Sequence, residues 1–179
     1  ELFDLPLNAS VRQWLKRKTV KEHHLDEPDD IQTVLCAAKQ DCQRAAFLAW
    51  QGGVLRGWSL NEGDPLAQSF RGVAFEIRAT DIWSSVLQEG RPFWGALPKG
   101  DPVKLFFNNT AAIAYILPIH LQKKVIGALY VDNGLLPVPP ESISKIQDQC
   151  LHLADILRHR LDIIKKKAVS IQMVHSSAV

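Results

Sequence analysis

The feature that most constrains the fold of this chain is the stretch Ala114–Gly134, AYILPIHLQKKVIGALYVDNG. Two apolar runs flank the polar break QKK, and the second run ends in DNG, which is typical of a tight turn. Because each run is almost continuously apolar, it predicts a β-strand that is covered on both faces. The chain is therefore expected to fold around an interior hairpin whose lysines, Lys123 and Lys124, reach solvent at the tip.

A second hairpin and two flanking helices extend this pattern to an α+β fold. The runs RAAFLAW and VLRGWSL are separated by a turn that contains Gly52 and Gly53, and glycine pairs suit tight turns between strands. A helix capped by Asp30 precedes them, and a long helix from about Glu141 to Lys167 follows the last hairpin. Strands joined by tight turns predict an antiparallel sheet, with the amphipathic terminal helices packed on one face.

The chain is expected to divide into three segments. Residues 1–28 form an N-terminal helical extension, in which Asn8 caps a short helix, and a charged linker broken by Pro28. Residues 29–164 form the globular domain. Residues 165–179 form a tail that is first basic and then polar.

Composition excludes several classes of partner. A net charge of +2 is too small for the concentrated basic face that nucleic acids require. No apolar run reaches the roughly 18 residues of a membrane span, and the N-terminus lacks the order of a signal peptide. The three cysteines, Cys36, Cys42 and Cys150, form no C-x-x-C pair, which argues against disulfides and zinc. We expect a soluble, cytoplasmic protein with no nucleic-acid or membrane partner.

Motifs for catalysis are missing from the sequence. It contains no G-x-S-x-G, no H-E-x-x-H and no G-x-x-x-x-G-K-[ST], so acyl transfer, metalloprotease and P-loop chemistry lack their minimal residues. His152, Asp155 and His159 share one helix face, but the two histidines lie roughly 10 Å apart along the axis, too far for one ion. The sequence predicts neither an enzyme, nor a metal site, nor a bound cofactor.

Two motifs resemble the GAF domain family. Ile116–Gly134, ILPIHLQKKVIGALYVDNG, is similar to the final GAF hairpin, with a proline-containing strand, a basic turn and the pattern IGxLYxDN. Asp81–Gly95, DIWSSVLQEGRPFWG, resembles the helix, GRP and strand unit of the same family. The resemblance covers roughly Asp29 to Ile164. It implies a sheet of five or six antiparallel strands, with dimer-forming terminal helices on one face and a small-molecule pocket on the other.

The resemblance also implies a sensory or regulatory module, joined covalently to upstream or downstream signalling domains, whose ligand is a small molecule of unknown identity. The Asn-Lys dipeptide of the cyclic-nucleotide binders is absent. The cysteines do not fall where bilin binders or the methionine-sulfoxide-reducing members place theirs. The alternative is a ligand-free GAF module that acts in dimerisation or protein docking.

Aromatic residues dominate the segments that wall the pocket in GAF domains. They either fill the cavity or line it, and the sequence leaves both readings open. Together they predict an apolar, aromatic pocket with few polar handles. The candidate ligand-binding residues are Phe70, Phe75, Arg78, Trp83, Trp94, Phe106, Phe107 and Tyr115.

The last helix is apolar over more of its circumference than one packing partner covers. One stripe is expected to cover the sheet, and a second set of apolar residues points elsewhere. The simplest partner is the same helix of a second copy, with the N-terminal helix completing a parallel bundle. The predicted homodimer interface comprises Trp14, Leu151, Ile156, Leu157, Ile163 and Ile164.

Overall fold

The computed structural model describes residues 30–61, 64–108 and 112–176, with side chains from residue 31 to residue 159. The predicted helix that Asn8 would cap, and with it Trp14, lies outside the described residues. The helices and strands of the described part are α1 (Asp30–Lys39), β1 (Arg44–Gln51), β2 (Val54–Leu60), α2 (Ala67–Phe70), β3 (Ala74–Glu76), α3 (Ile82–Gln88), β4 (Phe93–Gly95), α4 (Pro102–Phe106), β5 (Ala114–Leu121), β6 (Lys124–Asp132) and α5 (Pro140–Ser176).

The six strands form one antiparallel sheet in the order β3-β2-β1-β6-β5-β4. The α+β class and the antiparallel sheet predicted from the sequence are therefore confirmed. β6 lies between β1 and β5, and its residues from Gly127 to Asp132 are all buried. The hairpin β5–β6 is thus interior to the sheet, as its continuous apolar runs predicted.

Both hairpins turn where the sequence places them. Gly52 and Gly53 link β1 to β2 with φ values of 61° and 80°, a region that favours glycine. Gln122 and Lys123 link β5 to β6. Lys123 and Lys124 are exposed at this tip, as expected.

Two long helices cover one face of the sheet, which we call the helical face. α1 lies against β1 and buries Ile31, Val34, Leu35 and Ala38, spaced at i, i+3, i+4 and i+7. The buried stripe of α5 comprises Ile143, Ile146, Cys150, Leu153 and Leu157. Lys145 Nζ lies 3.4 Å from Asp41 Oδ2, which links α5 to the segment after α1.

The opposite face is covered by short helices and loops, and we call it the cleft face. α3 lies against β5 and β6, and α2 lies against β2. The largest buried side chains here are Trp83, Phe70, Tyr130 and Phe107. Strand residues alternate between the two faces, so Ala128 and Tyr130 of β6 join this cluster while Leu129 and Val131 point to the helical face.

The final helix is longer than predicted. It runs to Ser176 instead of ending near Lys167, so the predicted tail at 165–179 is largely helical. The physical reason is that the sequence has no glycine or proline between Lys167 and Ser176, and three lysines are good helix formers. Asp29–His159 forms one compact unit. The limits predicted for the globular domain, 29 and 164, stay a prediction.

None of the helices in the described ranges is both long and apolar enough to cross a membrane.

Candidate functional site

A cleft of about 500 Å³ opens on the cleft face, between the segment that follows β3 and the segment that precedes α4. One wall carries Phe75, Glu76, Arg78 and the start of α3, and the other runs from Pro98 to Pro102. Volumes of roughly 300–1,000 Å³ are usual for small-molecule sites. The cleft is therefore large enough for a metabolite-sized ligand.

Each wall ends in an aspartate at the beginning of a short helix. Asp101 Oδ1 accepts hydrogen bonds from the backbone N–H groups of Val103 and Lys104, at 2.9 and 3.1 Å, and Pro102 takes the first helical position. Asp81 precedes α3, and its Oδ2 accepts from the backbone N–H of Arg78 at 2.9 Å. The two Asp-led turns fix the backbone on both sides of the opening.

Trp83 joins the two walls. Its indole Nε1 donates to Asp101 Oδ2 at 2.7 Å, and its ring meets the Phe75 ring edge to face at 5.9 Å. Trp83 is 1% exposed and Asp101 is 6% exposed, so this bond forms the floor of the cleft. Buried indole and carboxylate groups need such partners, because an unpaired one would carry a large desolvation cost.

The charged side chains on the rim are not paired with one another. Glu76 and Arg78 are exposed, and Asp81 is half-buried. Within the described part of the chain, none of the three takes part in an ion pair. Their charges remain available to a molecule in the cleft.

An aromatic cluster fills the interior next to the cleft. The Phe107 ring stacks on Tyr130 at 5.5 Å and on Phe70 at 6.1 Å, and the Phe106 ring meets Phe70 at 5.3 Å. Phe70, Phe107 and Tyr130 are buried, and Phe106 is half-buried. These rings contact each other, so they fill the interior instead of lining an open cavity.

A buried polar network lies at the end of the aromatic cluster. Asp132 Oδ1 accepts from Arg44 Nη2 at 2.6 Å, from Arg44 Nε at 2.9 Å and from the N–H of Gly134 at 2.8 Å, while Tyr130 donates its hydroxyl to Oδ2 at 2.6 Å. The Arg44 guanidinium also lies 5.0 Å from the centre of the Phe107 ring. Burial, with Asp132 adding to it, raises the pKa of Tyr130 well above its ordinary value. The network holds the start of β1, the end of β6 and the Phe107 ring together.

Three of the predicted ligand-binding residues line the cleft, and three belong to the aromatic cluster. Phe75, Arg78 and Trp83 lie in the cleft wall. Phe70, Phe106 and Phe107 form the cluster described above.

The other two predicted residues, Trp94 and Tyr115, lie on the helical face. The Tyr115 hydroxyl accepts from Gln147 Nε2 of α5 at 2.7 Å, and Trp94, its cross-strand partner, meets its ring at 6.3 Å. The physical reason is strand alternation, because Ala114 and Ile116 occupy the cleft face. Neither Trp94 nor Tyr115 is therefore part of the pocket wall.

The sequence did not single out several charged residues that shape this region: Arg44, Glu76, Asp81, Asp101 and Asp132. Asp81 and Asp101 carried a signal, since an aspartate before a short helical pattern marks a cap. For Asp132 the signal was the DNG turn directly after an apolar strand. No signal in the sequence connected Arg44 to Asp132, because a contact over 88 residues has no local pattern.

The described lining of the cleft contains neither a metal-binding set of side chains nor a cysteine. Among the described residues, no three histidine, cysteine or acidic side chains are arranged to hold a metal ion. Cys42 and Cys150 are buried, and burial raises their pKa values to about 11 and about 12. Cys36 is exposed on α1.

Solved structures share this fold. The GAF domain/HD domain protein from Geobacter sulfurreducens superposes with a TM-score of 0.60 at 15% identity, covering 73% of this chain and 91% of that one. The GAF domain of a two-component sensor histidine kinase from Bacillus halodurans superposes with a TM-score of 0.58 at 14% identity, covering 79% of this chain and 99% of that one. The type II free methionine-R-sulfoxide reductase from Thermoplasma acidophilum superposes with a TM-score of 0.51 at 15% identity, covering 72% of this chain and 90% of that one. At these identities the similarity shows the fold, and the GAF-like sheet expected from the two motifs is confirmed.

No protein-family model matches the chain, and no curated protein matches it in sequence.

Proposed function

Since the chain has the GAF fold, we propose that it is a non-catalytic sensory or regulatory module of a larger signalling protein. It binds a small molecule in the cleft and passes the signal on through its terminal helices. It acts in the cytoplasm, joined to signalling domains in the same polypeptide. The observation that carries this proposal is the open cleft of about 500 Å³ on the face opposite the two long helices.

The chemistry of the cleft favours binding over catalysis. The described lining carries carboxylates, one guanidinium and aromatic rings, and it includes no cysteine or histidine. Cysteine is the strongest nucleophile among side chains, and histidine is the side chain that most often acts as a base near neutral pH. One of the solved structures with this fold is a reductase, but the buried thiols Cys42 and Cys150 lie outside the cleft wall of this chain.

A route from the cleft to the terminal helices follows existing contacts. Ile82 and Trp83 belong to the cleft wall and also begin α3, which lies against β5 and β6. On the other side of β5, Tyr115 accepts the hydrogen bond from Gln147 of α5. A ligand that shifts the start of α3 would therefore act on α5 through a single strand.

Dimerisation is part of the proposal, with one change to the predicted interface. Leu151 is 67% exposed and Ile156 is half-buried, so both remain available for a second copy. Leu157 is 8% exposed and belongs to the stripe that faces the sheet, so its contribution to a dimer is small. The side chains of Ile163 and Ile164 lie outside the described ones.

The proposal is tested by filling the cleft. Gly100 belongs to the lining, and a Cβ added there would meet no atom within 4 Å, so Gly100→Phe can place a ring at the cleft without a clash at the backbone. The matched control is Ala96→Phe, which adds a similar ring at an exposed position outside the lining. The parent chain and both variants are screened against a metabolite library by thermal shift. We expect a stabilising compound whose effect is lost in Gly100→Phe and kept in Ala96→Phe. A compound that stabilises all three equally, or none at all, would contradict ligand sensing in this cleft.

A second candidate is a ligand-free module for dimerisation or docking. The specific observation in its favour is the aromatic cluster, which closes the interior with ring-to-ring contacts. Leu135 and Leu136, which are 81% and 65% exposed after β6, add apolar surface for a protein partner. A screen without hits, together with a stable dimer, would favour this candidate.

A further inference from the structure

The charges that line the cleft are unequal. Glu76, Asp81 and Asp101 contribute three carboxylates, and Arg78 contributes the one guanidinium in the described lining. The formal balance of the wall is therefore negative. A low-dielectric cleft lined by one sign of charge raises the local concentration of the opposite sign.

Asp101 is the deepest of these charges and has no counter-charge. It is 6% exposed, and three N–H groups donate to it, from Val103, Lys104 and Trp83. These bonds solvate the carboxylate without neutralising it. The nearby Lys104 ammonium donates to the carbonyl of Leu97 at 2.9 Å, and no ion pair of the described residues includes Asp101. A buried charge without an ion-pair partner is costly, and a cation above it would reduce that cost.

The apolar part of the wall suits an organic ion. Phe75 is half-buried and presents part of its ring to the cleft, next to the half-buried Ile82. Aromatic rings attract cations through the negative potential of their faces. The described residues offer no metal-binding set of three side chains, so the carboxylates are not placed to coordinate an inorganic ion. A ligand with a positively charged head and an apolar body satisfies both parts of the wall.

We propose that the ligand of this cleft is an organic cation, an amine or a related ammonium compound, held by Glu76 and Asp81 above the buried charge of Asp101. This inference rests on the proposed ligand-sensing function and specifies the chemical class of the ligand. Phosphorylated and other anionic ligands are disfavoured, because they would bring a negative charge against three carboxylates. Arg78 opposes the cation and therefore sets a limit on its affinity.

The test uses three probes that share a phenylethyl body and differ in the charge of the head group: 2-phenylethylammonium, neutral 3-phenylpropanamide and anionic 3-phenylpropionate. Each is titrated into the full chain, and the backbone amide signals of residues 75–83, 99–101 and 103 are followed by NMR. We expect the ammonium to bind at least about threefold more tightly than the amide, and the propionate to bind most weakly.

Charge variants give the sign of each contribution. Glu76→Gln and Asp81→Asn should each lower the affinity for the ammonium probe by about threefold to tenfold, while Arg78→Gln should raise that affinity by a similar factor. Asp81→Asn keeps an oxygen that accepts from the N–H of Arg78, so the turn is preserved. Asp148→Asn, at an exposed position on α5, is the matched control and should leave the affinity unchanged.

Two results would overturn the inference. If the propionate binds most tightly and Arg78→Gln weakens it, the cleft takes anions, and ligand sensing still stands. If none of the three probes shifts the cleft amides, the cation assignment is wrong, and the library screen with Gly100→Phe decides independently whether the cleft binds another class of ligand.

Discussion

Asp132 is the residue whose surroundings most clearly combine stability with position. It is fully buried, and two N–H groups of Arg44, the hydroxyl of Tyr130 and the N–H of Gly134 satisfy its carboxylate. Both N–H groups of Arg44 donate to the same oxygen, Oδ1, and hydrogen bonds between ionised groups are shorter and stronger than those between neutral ones. Arg44 keeps 15% of its side chain exposed, so only the carboxylate depends wholly on its protein partners.

Replacing Asp132 by alanine should lower the free energy of unfolding by about 3–5 kcal/mol, because it removes a fully buried carboxylate that accepts two N–H groups of Arg44, the Tyr130 hydroxyl and the N–H of Gly134. Asp155→Ala removes an exposed partner of Arg158 and should cost less than about 0.5 kcal/mol. Urea denaturation of the two variants and the parent measures both values. Equal midpoints for Asp132→Ala and Asp155→Ala would show that the buried network does not stabilise the fold.

Thiol reactivity should separate the three cysteines. Burial raises the pKa of Cys42 to about 11 and that of Cys150 to about 12, so at pH 8 roughly one Cys42 side chain in a thousand is a thiolate, and fewer of Cys150. Iodoacetamide should therefore label exposed Cys36 in the native protein and the other two only after unfolding in urea. Mass spectrometry of the labelled peptides gives the rates. Comparable native labelling of Cys36 and Cys150 would contradict the burial of α5.

The face of the sheet on which a strand residue lies could not always be predicted from this sequence. The aromatic character of the region and the presence of Phe75, Arg78 and Trp83 in the cleft wall could be predicted, because helix and turn signals place those segments. The face of Tyr115 could not, since AYILPI is apolar at both odd and even positions and carries no period of two. The face of Tyr115 is determined by packing against the elements on the two sides of the sheet.

At the scale of elements, the short helices α3 and α4 depend on each other. Helices of seven and five residues are too short to be stable alone. The hydrogen bond from Trp83 of α3 to Asp101, which caps α4, joins them into one unit. The cleft walls are consequently set by one tryptophan.

Trp83→Ala should lower the free energy of unfolding by about 3–5 kcal/mol, since it removes a large side chain that is 1% exposed. Trp83→Phe keeps most of the volume and removes the donor, so we expect a cost of about 1–3 kcal/mol from the unpaired Asp101 oxygen. Trp94→Ala is the matched control, because Trp94 is 54% exposed and its replacement should lower the free energy of unfolding by less than about 1 kcal/mol. A denaturation midpoint of Trp83→Ala equal to that of Trp94→Ala would contradict the assignment of Trp83 to the floor.

Element order and type could be predicted well from turns, caps and apolar runs. Helix length could not be predicted for α5, because the basic run after Ile164 suits both the end of a helix and its exposed continuation. The start of α2 was equally hard to place, because Asp64 followed by Pro65 is typical of a cap and the first helical position. In the structure Asp64 accepts from the N–H of Leu66, and the helix begins at Ala67.

At the scale of the whole molecule, the exposed side of α5 decides the oligomeric state that we propose. Leu151→Asp places a charge on the exposed apolar side and should convert a dimer into a monomer without unfolding it. Ser69→Asp adds the same charge at an exposed position of α2, away from α5, and should leave the dimer intact. Light scattering gives the mass, and circular dichroism confirms that each variant is folded. A parent chain that is monomeric at micromolar concentrations, or a Leu151→Asp variant that remains dimeric, would contradict this interface.

The two strands that flank β1 in the sheet are synthesised at very different times. β1 is synthesised just before β2, but its other neighbour in the sheet is β6, and Asp132, the β6 residue that pairs with Arg44, follows 88 residues later. At 5–20 residues per second the nascent β1 waits roughly 4 to 18 seconds with one edge unpaired. An apolar edge of this kind pairs readily with other chains. Until the β5–β6 hairpin has been synthesised and docks, this edge is the part of the nascent sheet that is open to pairing with other chains.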